Sequence, residues 1–351
     1  MNPLTAKLHQ SGIVKGSISK MEVKFFGSSS LQVTPLGLGL AALGRPGYIN
    51  LDHASDLKHE YEIEKMTAHA HQVLDAAYRG GIRYFDAARS YGKAEQFLGG
   101  WLESRKIDPG TVAVGSKWGY TYTAGWQVDA DVHEVKEHSA GVLRRQWEES
   151  QTNLGNYLDL YQIHSATFES GVLENNEVHQ ELAKLKSKGV LVGFSVSGPQ
   201  QVEVIKAALE IMVEGSRLFD SVQVTWNILE QSTTQALEEA HVEGVGVIVK
   251  EAVANGRLTA KNPQVNPGGD LERLAREAGR LGTSVDALAL AFVLAQPWAD
   301  VVLSGAARVE HLQSNLGALD LDLDEETISR LAGLVEPPQE YWAARGSLAW
   351  N

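Results

Sequence analysis

The sequence of 351 residues contains no cysteine, which excludes disulfides, thiolate metal sites and cysteine nucleophiles. It also lacks an excess of positive charge. Its 31 lysines and arginines stand against 44 aspartates and glutamates, for a net charge of −13. Such a surface repels nucleic acid and anionic membranes, so we expect neither as a partner.

Long hydrophobic runs are missing as well. The longest uninterrupted apolar run, residues 287–295, is too short to cross a bilayer. Residues 1–20 contain three lysines but no continuous apolar core, so we interpret them as an N-terminal extension and not as a secretory signal. A cytoplasmic location is the default expectation.

From residue 36 onward, short apolar segments alternate with stretches of helical spacing. Strands are expected at 36–40, 82–85, 112–117, 158–164, 190–195, 221–224, 246–250 and 301–304. Eight strand-then-helix units predict an α/β fold, a closed (β/α)8 TIM barrel, in a single domain over 21–351. A β-hairpin at 21–34 precedes it, and an extra C-terminal helix at about 324–334 and a tail follow it. The alternative is an open doubly wound sheet, but Gly37 and Gly39 give only part of its glycine fingerprint.

Ionisable residues end three successive predicted strands: Asp86, Lys117 and His164. Tyr91 lies on the loop after the second of these strands. In a barrel, catalytic groups collect at the C-terminal ends of the strands, which lie about 4.8 Å apart. Each residue alone has a structural explanation, as a cap, a solvated lysine or a packed ring. Together they predict a proton-transfer site.

The chemistry of this set suits reduction of a carbonyl. A free tyrosine has a pKa of about 10, and a neighbouring ammonium should lower the pKa of Tyr91. The Asp86 carboxylate would hold the Lys117 ammonium in place, and His164 could orient a substrate carbonyl. Such a site could protonate the oxyanion that forms when hydride attacks the carbonyl carbon.

The stretch Gly81-Ile-Arg-Tyr-Phe-Asp86-Ala-Ala-x-x-Tyr91-Gly-x-x-Glu95-x-x-Leu98-Gly99 resembles the signature of the aldo/keto reductase family. Segments 158–164 and 301–319 also resemble family motifs, so the resemblance covers about 33–334. It implies a (β/α)8 barrel that transfers hydride from a nicotinamide cofactor, usually NADPH, to aldehydes and ketones. It further implies that Tyr91 is the general acid, that Lys117 and Asp86 tune it, and that His164 orients the substrate.

The resemblance also implies residues that bind the nicotinamide. Ser195 and Gln223 match the ligands of its carboxamide, although Val196 replaces the usual Asn. Lys250 stands where the family has an aromatic ring that stacks on the nicotinamide, and we expect Lys250 to pair with its neighbour, Glu251. The loop that begins at Ala252 resembles the one that crosses the pyrophosphate.

Segment 305–315 resembles the adenosine-phosphate motif of the family. Here the resemblance implies Gly305 beside the phosphates, Arg308 as the partner of a 2′-phosphate and Asn315 on the adenine, with His311, where Gln or Arg is common, also among the cofactor-binding residues. Backbone amides at a helix start favour phosphate, and arginine suits a 2′-phosphate. NADP(H) is therefore the favoured cofactor, with NAD(H) as the alternative.

The remaining aromatic and histidine residues give weaker predictions of function. Trp118 and the aromatic tail are candidates for a substrate pocket. His69 and His71 lie two residues apart on a predicted helix, so they point to different faces, and we expect no metal site. His53 and His59 fall in a polar insertion at 45–60, where we expect them to be solvated.

Three functions remain open from the sequence. The first is an aldo/keto reductase, working as a carbonyl reductase or alcohol dehydrogenase on a small carbonyl, alcohol or sugar. The second is an NADP-binding, redox-sensing or regulatory module with little turnover. The third is a lyase or isomerase with Lys117 or Lys250 as a Schiff-base amine, disfavoured because Asp86 should raise the pKa of Lys117. The sequence leaves the substrate open, and also the choice between monomer and homo-oligomer.

Overall fold

Eight parallel strands close into a barrel, and we number them β1 to β8 in chain order: Leu36–Gly39, Tyr84–Asp86, Ala113–Trp118, Leu158–Ile163, Leu191–Ser195, Ser221–Thr225, Gly246–Lys250 and Val301–Ser304. Each strand pairs with the next, and β8 pairs with β1. The computed structural model describes residues 21–351, so the extension expected over 1–20 lies outside the described residues. The predicted barrel is confirmed, and the open doubly wound sheet is wrong.

Helices pack around this barrel because each buries one apolar stripe. In the second helix, for example, Met66, Ala70, Val73, Leu74 and Ala77 all face the core. The helices span His53–Asp56, Ile63–Arg79, Ala94–Ser104, Ala140–Leu154, Asn176–Ser187, Gln201–Leu209, Thr234–Val242, Glu272–Leu281, Val285–Leu294, Val309–Leu316, Glu325–Ala332 and Pro338–Gly346. The last of these, Pro338–Gly346, lies in the segment that we expected to be a tail without a helix. Within the described residues, no helix is both long and apolar enough to cross a membrane.

The predicted hairpin forms from Lys24–Phe25 and Gln32–Val33. The Phe26 ring lies beside the first residue of β7, where a Cβ on Gly246 would come within 2.5 Å of it. Phe26 and Val33 belong to the cluster of side chains inside the barrel. The hairpin therefore closes the N-terminal end of the barrel and leaves the C-terminal end for a site.

The insertion at 45–60 covers part of that C-terminal end. Asn255 Nδ2 donates to Ile49 O at 2.9 Å, and Ile49 forms an antiparallel bridge with Trp350. His59 is exposed as expected, but the expectation for His53 is wrong, because its side chain is fully buried. Burial, aided by the Arg45 charge, lowers the pKa of His53 to about 3. His53 is therefore a neutral packing residue.

Candidate active site

A buried ion pair lies at the ends of β2 and β3. Lys117 Nζ donates to a carboxylate oxygen of Asp86, to Ala87 O at 2.9 Å and to Tyr91 OH at 3.4 Å. The other Asp86 oxygen accepts from Gln223 Nε2 at 2.9 Å. Asp86 and Lys117 are 2% and 1% exposed. These contacts hold the ammonium in one position beside the phenol.

Close backbone contacts fix the loop that carries Tyr91. A Cβ on Gly44 would lie 2.2 Å from Tyr91 O, and a Cβ on Gly92 would lie 2.5 Å from Gly44 O. Gly92 also has a φ of +59°, which disfavours other residues. Lys93 N donates to Gly44 O at 2.7 Å. The loop after β1 therefore sets the position of the Tyr91 loop.

Glu95 of the signature stretch is a buried anchor of this loop. Its carboxylate accepts from Ser116 Oγ at 2.6 Å, from Ser150 Oγ at 2.7 Å and from Asn153 Nδ2 at 3.0 Å. It also pairs with Arg89 at 2.5 Å. Glu95 thus connects the Tyr91 loop to β3 and to the helix Ala140–Leu154, away from the reacting groups.

The expected decrease in the pKa of Tyr91 is not observed. Burial and the Asp86 charge raise the pKa of Tyr91 well above its usual value, and Arg45 opposes them. Burial also lowers the pKa of Lys117; Asp86 acts in the raising direction, as expected, but does not outweigh the burial. The physical reason is desolvation, which disfavours the charged form of each group. Tyr91 keeps its proton in this cavity.

His164 follows β4 and meets Tyr91 edge-on, with ring centroids 5.4 Å apart. The ring of Tyr120 lies 4.9 Å away on another side, and Ser90 Oγ lies 3.3 Å from Nδ1. Burial and the Lys117 charge lower the pKa of His164 well below its usual value. The imidazole is therefore neutral at physiological pH.

A cavity of about 330 Å³ opens at this end of the barrel, lined by Asp86, Tyr91 and His164. It also has lining residues that the sequence did not indicate, namely Arg45, Tyr48, Tyr120, Glu134, Lys136 and Arg345, and Trp350 of the aromatic tail lines it as expected. These come from the insertion, from a hairpin of Tyr120–Tyr122 and Glu134–Lys136, and from the tail. No motif marks them, since their segments show no strand-and-helix periodicity.

Trp118 does not line this cavity, so its expected place in a substrate pocket is wrong. The side chain is fully buried and packs edge-on against His138, with centroids 5.6 Å apart. Neighbouring side chains of a strand point to opposite faces. Because Lys117 faces the site, Trp118 faces the surrounding helices.

The expected pair between Lys250 and Glu251 does not form. Lys250 Nζ donates to Ser197 Oγ at 2.9 Å and to Thr225 Oγ1 at 2.5 Å. Glu251 instead pairs with Arg345 of the helix Pro338–Gly346, at 2.6 Å. Burial lowers the pKa of Lys250 to about 8, although Glu251 opposes this. Lys250 thus lines the cavity and has no carboxylate within ion-pair distance among residues 21–351.

The residues proposed to hold a cofactor fall into two groups. Gln223, Lys250, Ala252 and Gly305 line the cavity. The others lie outside its lining: Ser195, Arg308, His311 and Asn315. The two groups extend from the ends of β5 to β8 onto the helix Val309–Leu316.

The residues outside the lining differ in their freedom to bind. Ser195 Oγ accepts from Ser165 N at 2.8 Å, and the amide of the buried Asn315 lies 2.8 Å from Ser304 Oγ. His311 Nε2 lies 3.8 Å from Asp56. Arg308 is partly exposed, and within the described part of the chain it forms an ion pair only with the exposed Glu310, at 3.3 Å.

These residues fit a nicotinamide dinucleotide. Gly305 lines the cavity, and no atom lies within 4 Å of the place where its Cβ would be. It precedes the helix Val309–Leu316, whose first amides suit a phosphate. A resident metal has no such support, because residues 21–351 contain no cluster of histidines and carboxylates that could hold one.

Comparisons with known proteins agree with this geometry. The model of the Aldo/keto reductase family matches residues 35–336. The structure of the aldo-keto reductase AKR11C1 from Bacillus halodurans in its holo form is similar, with a TM-score of 0.69 and 25% identity over 90% of this chain and 97% of that chain. The uncharacterized oxidoreductase YqkF of Bacillus subtilis (strain 168) is 26% identical over 89% of this chain and 95% of its own length. The L-galactose dehydrogenase of Arabidopsis thaliana is 25% identical over 91% and 96%.

Proposed function

Since the chain belongs to the aldo/keto reductase family, we propose that it is an NADP(H)-dependent oxidoreductase. It reversibly transfers hydride between nicotinamide and an aldehyde or ketone, or the corresponding alcohol or sugar. The observation that carries the proposal is the convergence of Tyr91 OH on Lys117 Nζ, 3.4 Å apart, beside a neutral His164. The cytoplasmic location expected from the sequence stays a prediction.

When bound, the nicotinamide supplies or accepts the hydride. In reduction, the electron pair of the carbonyl bond moves onto the substrate oxygen, and the Tyr91 hydroxyl gives that oxygen its proton. The phenolate that remains lies beside the Lys117 ammonium, which stabilises it. Asp86 holds Lys117 in place, as its hydrogen bonds to Lys117 and Gln223 indicate. In oxidation, Tyr91 takes the proton back.

His164 positions the substrate oxygen in this scheme. Ser90 Oγ lies 3.3 Å from Nδ1, and in the tautomer where Ser90 donates to Nδ1 the neutral imidazole carries its proton on Nε2. Nε2 can then donate a hydrogen bond to the carbonyl without adding a competing acid. Tyr91 remains the proton source because its raised pKa keeps it protonated at neutral pH.

Among the cavity-lining residues, Gln223, Lys250, Ala252 and Gly305 would hold the nicotinamide half of the cofactor. Ser195 supports them indirectly, since its hydroxyl fixes the backbone of Ser165, which lines the cavity. On the neighbouring helix, Arg308, His311 and Asn315 would hold the adenosine half. NADP(H) is preferred because Arg308 is a partly exposed cation at the start of that helix.

We expect Tyr91→Phe to reduce carbonyl turnover by about 100-fold or more, because it removes the proposed general acid. NADPH affinity, measured by fluorescence titration, should stay within a few-fold of the wild type. Tyr78→Phe is the matched control, since the Tyr78 ring packs against Trp101 outside the cavity. Unchanged turnover of Tyr91→Phe across a carbonyl panel would contradict the acid role.

Turnover of the same carbonyl panel separates the proposed reductase from the two alternative functions. Tight NADPH binding by the wild type with no turnover would favour the regulatory module. Lys250 lines the cavity and has a pKa of about 8, and an amine with a lowered pKa can form a Schiff base with a carbonyl. This observation supports testing the lyase or isomerase as a third function. Borohydride trapping of a carbonyl adduct on a lysine, without cofactor, would favour that third function over hydride transfer.

A further inference from the structure

The lining of the cavity carries more positive than negative charge, in a protein with a net charge of −13. Its cationic members are Arg45, Lys136, Lys250 and Arg345. Its carboxylates are Asp86, Glu134 and Glu251, and each is already paired, with Lys117, Arg45 and Arg345 respectively. Two lysines therefore remain without a carboxylate within ion-pair distance among the described residues.

Lys136 is the one of these two that comes from a hairpin and not from a barrel strand. It ends the hairpin strand Glu134–Lys136, in which Glu134 and Lys136 line the cavity and Val135 between them is 48% exposed. The alternation of a strand thus turns the ammonium toward the cavity. Lys136 Nζ donates to Thr167 Oγ1 at 3.1 Å, and Thr167 also lines the cavity.

The surroundings of Lys136 do not compensate its charge. Burial lowers the pKa of Lys136, and the exposed carboxylate of Glu169 acts in the opposite direction without outweighing it. Its ammonium otherwise faces a hydroxyl and the ring of Tyr120, 5.7 Å from the ring centroid. A half-buried ammonium of this kind is costly unless an anion neutralises it.

Aromatic rings connect this lysine to the proposed acid. From Lys136, the wall of the cavity runs over Tyr120 to His164 and then to Tyr91, with successive separations of 5.7, 4.9 and 5.4 Å. A molecule along this wall could place one end at Tyr91 and the other at Lys136. One ammonium and one hydroxyl match the single charge and two oxygens of a carboxylate.

We propose that the substrate carries a carboxylate remote from its carbonyl, and that Lys136, with Thr167, binds it. This inference rests on the proposed function, because the carbonyl end is placed at Tyr91. The phosphates of the cofactor are a poor alternative ligand for Lys136. Their proposed residues follow β7 and β8, on the opposite side of the barrel from β3 and β4, which precede Lys136 and Thr167.

The test compares ω-oxo carboxylates of increasing chain length with their methyl esters. The wild type should prefer at least one acid over its ester by about 10- to 100-fold in kcat/KM, mainly through KM, as expected for hydrogen bonds to a charged group. Lys136→Met should remove that preference and leave turnover of the esters within a few-fold. Lys136→Arg should retain most of it. Lys206→Met, an exposed lysine on a helix outside the cavity, should change nothing.

The proposal is overturned if the wild type prefers no acid over its methyl ester. It is also overturned if Lys136→Met keeps the preference for the acid, or if it slows the turnover of acids and esters equally. A binding measurement gives a readout that does not need turnover. In the cofactor-free protein, at least one ω-hydroxy carboxylate of the series should bind more tightly than its methyl ester, as measured by quenching of tryptophan fluorescence, since Trp350 lines the cavity. If the wild type reduces no carbonyl, the proposed function is wrong, but the subsite can still be tested by binding. The subsite is wrong as well if the wild type binds acid and ester equally, or if Lys136→Met binds the acid as tightly as the wild type does.

Discussion

Burial decides the charge state of the side chains proposed for catalysis. It keeps Tyr91 protonated and His164 neutral, and in both cases desolvation is the largest effect. The ammonium of Lys117 is then the fixed charge beside the phenol, held by Asp86 and Ala87 O. A protonated donor, a neutral hydrogen-bond donor and a fixed cation are the parts that protonation of an alkoxide needs.

Arg308 is the residue on which the choice of cofactor depends. Among the described residues its guanidinium pairs with Glu310 at 3.3 Å; the side chain of Arg308 is partly exposed and that of Glu310 is exposed. We expect Arg308→Gln to weaken NADPH binding by about 10- to 100-fold, the usual size of a lost charge-assisted contact, while NADH binding changes little. Fluorescence titration with both cofactors measures this.

The control for Arg308 is Arg276→Gln, which removes an exposed arginine from a helix outside the cavity. It should leave both affinities unchanged. Equal losses for NADPH and NADH in Arg308→Gln would contradict the assignment of Arg308 to the 2′-phosphate.

Two loops form the element on which the position of Tyr91 depends. The loop after β1 contacts the loop after β2 through backbone atoms at Gly44 and Gly92, with no room for a side chain between them. Glu95 holds the far end of the second loop through four hydrogen-bonding neighbours. The phenol position is thus set from both sides of the loop.

We expect Gly44→Ala to lower turnover at least 10-fold. Its Cβ would meet Tyr91 O at 2.2 Å, so the Tyr91 loop must shift, and a displacement of about 1 Å at a reacting group is costly. Steady-state kinetics and NADPH titration measure the effect. Turnover equal to the wild type would show that the loop contact does not position the phenol.

Gly100→Ala is the matched control for this prediction. Gly100 lies inside the helix Ala94–Ser104, and nothing lies within 4 Å of its Cβ position. Alanine there should keep turnover and stabilise the protein by about 0.5–1 kcal/mol, because glycine is a poor helix former. Chemical denaturation measures this gain.

At the scale of the whole molecule, barrel closure gathers segments that lie far apart in the chain. The insertion at 45–60 bonds with the final residues, since Tyr48 N donates to Asn351 O at 3.1 Å and Asn351 N to Tyr48 O at 3.2 Å. Trp350 then stacks on His133, with centroids 4.0 Å apart, and lies under Arg45 at 4.6 Å. One wall of the cavity thus combines three segments that share no motif.

Global stability should depend on pH through Asp159 of β4. Burial raises the pKa of Asp159 to about 6, above the unfolded value of about 3.9. Between these values the folded state binds more protons than the unfolded state, so stability falls as pH rises through this window. Asp159→Asn keeps an acceptor for Val114 N, 2.9 Å from Oδ2, and loses the charge.

We therefore expect Asp159→Asn to gain stability relative to the wild type between pH 4 and pH 7, by at most about 3 kcal/mol. Urea denaturation at several pH values measures the difference. Asp270→Asn, an exposed aspartate in a loop, should follow the wild type at every pH. A constant difference between Asp159→Asn and the wild type would contradict the raised pKa.

The local pattern of the sequence was enough to predict the barrel and the positions of the residues proposed for proton transfer. Parallel strands buried on both faces read as short apolar runs, and helices as stripes of helical spacing, so all eight strands are predicted within a few residues. Asp86, Lys117 and His164 end or follow strands that become neighbours in the barrel. Their convergence followed from strand order alone.

Tertiary structure decided what depends on contacts between distant segments. Burial has the largest effect on the pKa of Tyr91, and the spacing of residues in the sequence does not show burial. The expectation of a lowered pKa was therefore wrong. Glu251 has Lys250 beside it in the chain, but it lies just past the end of β7 with a φ of +56°, and Arg345 reaches it from the last helix. Strand alternation places Trp118 in the core, on the face opposite to Lys117. Lys136 lines the cavity because its hairpin packs over the end of the barrel. That packing joins segments far apart in the chain, so the local sequence pattern does not show it.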